Sequence, residues 1–276
     1  MGHGTMIVRL KRQDKFLCSN TKMIPFTIIQ VWIGGTQIPL EFEKTRALIR
    51  RKHATWKYVF VTDKTHENFV KTYFPDFYNT YVSFPYTIQR ADAIRYMYLY
   101  VHGGVYMDLD YTPIKPLDDL VANLNRQQID IGLKRDYTNK TICNSFIVSA
   151  PRRQFWLKCI QSMKTTIPKW YHVGKHMTVM HTTGPLMLNR LYKENGNKDG
   201  QRIVILKNIS VPCSTCDNET CTIQKGYYLM PIQGKTWHSW DSTVYNRLLC
   251  YRHIALICLV VVLILILVLW RRIRHP

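Results

Sequence analysis

The sequence TIQRADAIRYMYLYVHGGVYMDLDYTPI, residues 87–114, decides the fold. Its first part is rich in apolar and aromatic residues at helical spacing, and the pair Gly103-Gly104 that follows is typical of a helix end. Residues 105–114 then predict a short strand. Two carboxylates, those of Asp108 and Asp110, therefore lie at the exit of a helix–turn–strand unit.

Outward from this unit, strands alternate with helices. The predicted elements are strands at 24–33 and 56–62 with helices at 39–52 and 65–73 in the first half, then strands near 129–133 and 143–149, a helix near 151–163 and looped sequence to 241. Such alternation is typical of βαβ units, so we predict an α/β fold with a mostly parallel sheet and flanking helices. Ligands of these sheets bind beyond the carboxyl ends of the strands, where the two aspartates should lie.

Composition narrows the class of protein. The chain has 276 residues and 46% hydrophobic residues, which is enough for a packed core and excludes wholesale disorder. Its 38 Lys and Arg against 18 Asp and Glu give a net charge of +20, which favours an anionic partner. The basic residues are scattered in short groups without a recognition motif, so we predict no nucleic-acid partner.

The C-terminal run 254–270 contains no charged residue, glycine or proline. We expect it to be a single-pass transmembrane anchor, followed by a short basic tail at 271–276. An ER- or Golgi-type membrane would be its location. The basic tail favours a cytosolic C-terminus, whereas three glycosylation sequons, at Asn139, Asn208 and Asn218, favour a lumenal domain, so both orientations stay open.

Three cysteines lie close together in the second half of the chain. Cys213, Cys216 and Cys221 could form a disulfide, remain thiols or bind zinc, although no fourth ligand is spaced to complete a zinc site. The sequence leaves these alternatives open.

The residues themselves suggest a chemistry. Asp108 and Asp110 at i and i+2 on a regular strand would share a face and grip one Mg²⁺ or Mn²⁺, although the pair taken alone is better explained as a solvated strand end. Asp92 and Arg95 at i and i+3 share a helix face, suited to sugar hydroxyls and phosphate or simply to an ordinary ion pair. Trp32 could stack on a base or belong to the core.

Taken together, these motifs resemble the DXD-containing family 32 glycosyltransferases. The matching blocks, in the family's order, are 24–35, 56–63, 91–120, 144–156 and 182–188. The block GKTWHSWD at 234–241 is most similar to the catalytic subunits of inositol phosphoceramide mannosyltransferases. Two positions depart from the family pattern, with Phe26 in place of a lysine and Ile29 in place of a histidine.

The resemblance implies a GT-A type, Rossmann-like catalytic domain over 24–245, after an N-terminal extension at 1–23. It implies a retaining, membrane-anchored transferase with a nucleotide-sugar donor, a DXD-bound Mn²⁺ or Mg²⁺ and a lipid or glycan acceptor. GDP-mannose and inositol phosphoceramide are the expected substrates, and a regulatory membrane subunit is a further expected partner. The alternatives are a UDP-sugar-dependent transferase acting on protein or glycan, and a catalytically weak membrane-anchored pseudoenzyme.

The resemblance also implies roles for eight residues. Asp108, Asp110, Asp92 and Arg95 would carry catalysis, with Asp108, Asp110 and His238 as metal ligands. The donor would be held by Trp32 at the base, Asp92 and Arg95 at the sugar and phosphate, Asn144 on the donor side, and Trp237 and His238 closing over the diphosphate.

Overall fold

A computed structural model describes residues 23–274 apart from 36, 137, 167–173, 197, 214–220, 222–224, 233 and 235. The predicted N-terminal extension at 1–23 thus lies outside the described residues except for its last position. Cys216 and the sequon at Asn218 also lie outside them.

The described strands and helices follow the predicted alternation. The strands are β1 (Thr27–Trp32), β2 (Lys57–Thr62), β3 (Gly104–Met107), β4 (Tyr111–Pro113), β5 (Ile131–Arg135), β6 (Ile142–Ser149), β7 (Ile203–Leu206) and β8 (Leu229–Pro231). The helices are α1 (Leu40–Lys52), α2 (His66–Tyr73), α3 (Tyr78–Ser83), α4 (Thr87–His102), α5 (Asp118–Arg126), α6 (Gln154–Thr165), α7 (Gly174–Thr182), α8 (Pro185–Asn195), α9 (Trp240–Cys250) and α10 (Arg252–Arg274).

Six strands form the main sheet in the order β2-β1-β3-β6-β5-β7, and β4 pairs with β8 in a separate two-stranded sheet. β1 runs parallel to β2 and β3, and β5 runs parallel to β7, whereas β6 is antiparallel to both of its neighbours. The loop between β5 and β6 is too short for a crossover connection, which forces that pair to be antiparallel. The sheet fits the predicted α/β architecture with a parallel majority.

Both faces of the sheet are covered. The neighbouring β1 residues Ile28 and Ile29 belong to two different hydrophobic clusters, because successive strand residues point to opposite faces. On the Ile29 side lies α4, whose residues are buried without a break from Asp92 to Val101. A helix enclosed on all sides carries polar side chains into the interior, where they need partners.

Two glycines join α4 to β3. Gly103 has φ of 66°, and a Cβ there would lie 2.8 Å from the carbonyl oxygen of Ser149. Gly104 has φ of 114°, and a Cβ would lie 2.7 Å from the carbonyl oxygen of Thr27. Both positions combine a left-handed backbone with a close neighbouring strand, so only glycine fits. The predicted helix end at this pair is confirmed.

Two element predictions are wrong. The single strand predicted at 105–114 divides, because β3 ends at Met107 and β4 pairs with β8 in the second sheet. The predicted loops up to 241 contain α7, α8 and the short strands β7 and β8. A three-residue strand depends on a distant partner, and local periodicity does not reveal such a partner.

The predicted C-terminal transmembrane helix is also wrong. Among the described residues, no helix has the length and apolar character that a bilayer crossing requires. The run 254–270 lies within α10, which does not meet this requirement. The prediction of a single-pass membrane location depends on this run and is therefore wrong as well.

The cysteine cluster contains a disulfide. Cys213 is bonded to Cys221, with a Cα–Cα distance of 5.6 Å, so a disulfide is present among the alternatives that the sequence left open. The bond closes a short loop that includes residues outside the described part of the chain.

A buried histidine gives the fold a pH dependence. Leu117 N–H donates to His53 Nε2 at 3.0 Å, so the proton sits on Nδ1, which donates to the Ile49 carbonyl oxygen at 2.8 Å. Burial lowers the pKa of the His53 imidazole below its ordinary value. His53 therefore takes up a second proton more readily in the unfolded chain than in the folded one. Its contribution to the free energy of unfolding is complete above about pH 6.5 and falls as the pH drops below that value.

We therefore expect the free energy of unfolding to fall more between about pH 7.5 and about pH 5.5 in the wild type than in His53→Gln, by up to about 1.4 kcal/mol. Urea denaturation at both pH values measures this difference. The other histidines titrate in both proteins and cancel. An equal pH dependence in the two proteins would contradict the neutral, bridging role of His53.

Candidate active site

The first aspartate of the DXD segment is held by its backbone. Asp108 N–H donates to the Ser145 carbonyl oxygen at 2.9 Å, and the Asp108 carbonyl oxygen accepts the side-chain amide of Gln30 at 3.3 Å. Gln30 is fully buried in β1, and its amide oxygen accepts the hydroxyl of Tyr58 at 2.8 Å. Neighbouring strands on both sides of β3 therefore fix where Asp108 leaves the sheet.

The rest of the segment is anchored from other elements. Thr45 in α1 donates its hydroxyl to the Leu109 carbonyl oxygen at 2.9 Å, and Ile232 N–H donates to the Asp110 carbonyl oxygen at 2.8 Å. The sequence suggested that the two aspartates share a face of one strand. The structure does not place them in that way. A turn beyond the strand end brings both side chains to one cavity instead.

Asp110 is the more unusual of the two carboxylates. Burial, together with the negative charge of Asp108, raises the pKa of Asp110 to about 7, against the opposing effects of Lys134 and Arg95. Gly234 lies against this side chain, and a Cβ at that position would be 2.8 Å from the Cβ of Asp110. A glycine is therefore required for the 234–241 segment to approach the DXD turn.

Arg95 connects the DXD turn to α4. Its Nη2 lies 2.9 Å from Asp92 Oδ1 and its Nη1 lies 3.3 Å from Asp108 Oδ1, while Nη1 also donates to the Asn144 carbonyl oxygen at 2.8 Å. Asp92 and Arg95 are each only 3% exposed. Burial opposes the charge of Arg95, but Tyr106 and the two carboxylates raise its pKa, so the guanidinium stays charged.

Asp92 has further partners of its own. Its Oδ1 accepts the Asn144 side-chain amide at 2.9 Å, and its Oδ2 accepts the Thr183 hydroxyl at 2.9 Å. Burial raises the pKa of Asp92 even though Arg95 and these donors favour the carboxylate. The side chain is thereby locked in one orientation at the wall of the cavity.

Tyr106, in β3, contacts both Asp108 and Arg95 of the same network. Its hydroxyl donates to Asp108 Oδ1 at 2.5 Å, and the guanidinium carbon of Arg95 lies 4.5 Å from its ring centre. The pKa of the Tyr106 hydroxyl is raised, chiefly by burial, so it remains a donor to Asp108.

The cavity has a volume of about 530 Å³, which suits a small-molecule ligand. Seven of the eight predicted site residues line it, namely Trp32, Asp92, Arg95, Asp108, Asp110, Asn144 and Trp237. His238 is not in its lining and instead packs against the rings of Trp237 at 4.7 Å and His176 at 6.2 Å. The roles of all eight residues stay predictions, but their grouping is a property of the fold.

The carboxylates fit one particular kind of metal site. Among the residues that the structure describes, no three His, Cys, Asp or Glu side chains converge as a metal-binding group. Mg²⁺ and Mn²⁺ bind through one or two carboxylates, completing their shell with water and phosphate oxygens. Asp108 and Asp110 therefore fit a divalent cation that is shared with a phosphate-bearing ligand, and they do not form an all-protein metal centre.

Sequence reasoning missed three contributors. Tyr106 lies inside the strand and reads as an ordinary core aromatic residue. Thr183 belongs to a matching block, but its contact with Asp92 spans 91 residues and has no local signal. Gly234 is the first residue of the block 234–241. The resemblance of that block to the family was the one sequence signal for its importance.

The segment that carries the DXD turn is similar to a known protein family. A family model described as "Glycosyltransferase sugar-binding region containing DXD motif" matches residues 39–127. Residues 39–127 are thus similar to the sugar-binding region of DXD-type glycosyltransferases. The matched segment includes Asp92, Arg95, Asp108 and Asp110, and the resemblance inferred from the sequence is confirmed.

Several curated relatives are named mannosyltransferases or mannosyl phosphorylinositol ceramide synthases. Two mannosyl phosphorylinositol ceramide synthases of Saccharomyces cerevisiae are 34% and 31% identical, covering 65% and 82% of this chain and 45% and 55% of their own lengths. Inositol phosphoceramide mannosyltransferase 2 of Schizosaccharomyces pombe is 26% identical over 89% of this chain and 68% of its own. The chain thus spans about half the length of the first two relatives.

The buried ion network gives a stability prediction. Arg95→Met would leave two carboxylates without their shared cation, so we expect the free energy of unfolding to fall by about 3–5 kcal/mol. The matched control is Arg190→Met, which removes a half-exposed guanidinium that lies 3.5 Å from Glu194 and should cost less than about 1 kcal/mol. Urea denaturation compares the two, and equal losses would refute the central role of Arg95.

Proposed function

We propose that residues 24–245 form the catalytic domain of a retaining, divalent-metal-dependent mannosyltransferase. Its donor would be GDP-mannose, and its acceptor a phosphoinositol-bearing lipid of the inositol phosphoceramide type. The observation that carries the proposal is one cavity lined both by the Asp92–Arg95–Asp108 ion network and by the carboxylate of Asp110. The names of the relatives support the choice of sugar and acceptor.

The donor would lie along the carboxyl ends of the central strands. Trp32, at the end of β1, would take the base against its indole ring. Asp92 would accept a hydroxyl of the sugar, since its carboxylate is already oriented by Asn144 and Thr183. Trp237 lines the same cavity from the 234–241 segment and would cover the diphosphate.

The hydrogen bonds of Arg95 differ from those expected of an arginine that binds phosphate. Its Nε, Nη1 and Nη2 all donate to protein oxygens, and its side chain is almost completely buried. Little of its hydrogen-bonding capacity is left for a ligand. We therefore assign Arg95 as a positioning residue that orients Asp92 and Asp108.

The chemical step follows from these positions. Asp108 and Asp110 would hold a divalent cation, which when bound offsets the negative charge on the leaving diphosphate. The bond from the anomeric carbon to the phosphate oxygen breaks, the acceptor oxygen bonds to that carbon on the same face, and the hydroxyl proton passes to the departing diphosphate. Orienting the two substrates and excluding water would supply most of the rate enhancement.

A panel of sugar nucleotides tests the proposal. With Mn²⁺ and a phosphoinositol lipid, we expect GDP-mannose to give mannosylated product and UDP-sugars to give far less. Chelation of the cation should abolish transfer. Product formed from a UDP-sugar alone, or undiminished transfer in excess chelator, would refute the corresponding part of the proposal.

A carboxylate exchange tests the site itself. Asp110→Asn should lower kcat/KM at least about 100-fold, because a neutral amide is a poor ligand for a hard cation. The control is Asp119→Asn, an exposed aspartate in the first turn of α5, which should leave activity within about twofold. Equal activities of the two variants would contradict the assignment.

A further inference from the structure

A second cavity lies beside the first and has the opposite charge. Its volume is about 660 Å³, and its lining includes Lys134, Arg135 and Lys207 against one acidic residue, Asp136. Asp136 Oδ1 already accepts the Thr138 hydroxyl at 2.7 Å and the Lys140 N–H at 3.2 Å. The lining is therefore cationic, with its single carboxylate already engaged by the neighbouring loop.

The two cavities share a wall. Cys143 lines both of them. Tyr111, in the second cavity, is hydrogen bonded through its hydroxyl to Ser145, in the first, at 2.7 Å. Asp110 and Tyr111 are consecutive residues that line the first and the second cavity, respectively. A ligand in the second cavity therefore lies next to the DXD turn.

The cations of this cavity are not neutralised by close ion pairs with the described residues. Within the described part of the chain, Lys134, Arg135 and Lys207 form no salt bridge. The Nε–H of Arg135 is buried and has no hydrogen-bond partner among the described residues, while its Nη1 donates to the Asn139 carbonyl oxygen at 2.9 Å. A buried donor without an acceptor is costly, and an anionic ligand would supply one.

Lys134 keeps its charge in this setting. Burial opposes its ammonium group, but Tyr111, Cys143 and Asp108 raise the pKa of Lys134 above its ordinary value. Its Nζ lies 5.7 Å from the ring centre of Tyr111. The ammonium group thus stands beside the wall that separates the two cavities.

We propose that the cavity lined by Lys134, Arg135 and Lys207 binds the phosphate group of the acceptor and thereby selects phosphorylated acceptors over neutral ones. The inference rests on the proposed function, because it assigns the acceptor half of the same site. A phosphodiester seated there would place its polyol at the shared wall, beside the cavity assigned to the donor. Arg135 and Lys207 are then specificity-determining residues that do not touch the donor.

The test uses paired acceptors, glycerophosphoinositol and inositol, which differ in the glycerophosphate group that carries the negative charge. The variant Arg135→Gln/Lys207→Gln should raise KM for glycerophosphoinositol about 10- to 100-fold, since each lost charged contact is worth about tenfold. KM for GDP-mannose, donor hydrolysis without acceptor and KM for inositol should not change, which also shows that the variant is folded.

The control variant is Lys57→Gln/Arg126→Gln, which removes the same two charges from exposed positions outside both cavities. An unchanged KM for glycerophosphoinositol in the test variant, or an equal rise in the control, would overturn the proposal. Calorimetric titration with glycerophosphoinositol and with inorganic phosphate keeps the test independent of transfer activity.

If no donor supports transfer, the proposed function fails, but binding still decides the cavity. Binding by the wild type that is lost in the test variant supports the proposal, and absence of binding by the wild type overturns it. Inorganic phosphate that binds as tightly as glycerophosphoinositol would overturn the acceptor assignment and leave a site for phosphate alone. Binding of glycerophosphoinositol that inorganic phosphate does not match would support the acceptor assignment.

Discussion

The site depends on one buried positive charge. Arg95 is held in the interior because Asp92 on its own helix and Asp108 beyond β3 both lie within ion-pair distance of it. Removing a guanidinium from water is costly, and only close, well-directed partners repay that cost. The same side chain donates to the Asn144 carbonyl oxygen on β6, so a single group ties the buried helix to two strands of the sheet and orients the cavity wall.

Around this charge the molecule separates two electrostatic environments. Three carboxylates, those of Asp92, Asp108 and Asp110, line the first cavity against the cations of Arg95 and Lys175, a formal excess of one negative charge that suits a cation and, through it, a diphosphate. The second cavity carries an excess of positive charge, which suits an anionic acceptor without a metal. Tyr111, Ser145 and Cys143 lie between the two cavities, so the donor and acceptor sites would be adjacent.

Local sequence signals predicted part of this arrangement. The helix at 87–102 and its glycine end were visible because periodicity and left-handed glycines act locally. The grouping of Asp92 with Arg95 followed from helical spacing. The turn that carries Asp110 and the contact of Thr183 with Asp92 were not visible, because both depend on partners far along the chain. For the run 254–270, the sequence instead predicted a feature that is not found. Its hydropathy alone suggested a membrane span, which the described helices do not contain.

The central claim is that Asp108 and Asp110 together hold a divalent cation at the donor diphosphate. Anomalous diffraction at the manganese absorption edge, from crystals grown with GDP and Mn²⁺, tests it most directly. The account predicts one anomalous peak between the two carboxylates and the diphosphate of the nucleotide. A nucleotide bound in the cavity with no peak at these carboxylates, or with the peak elsewhere, would contradict it.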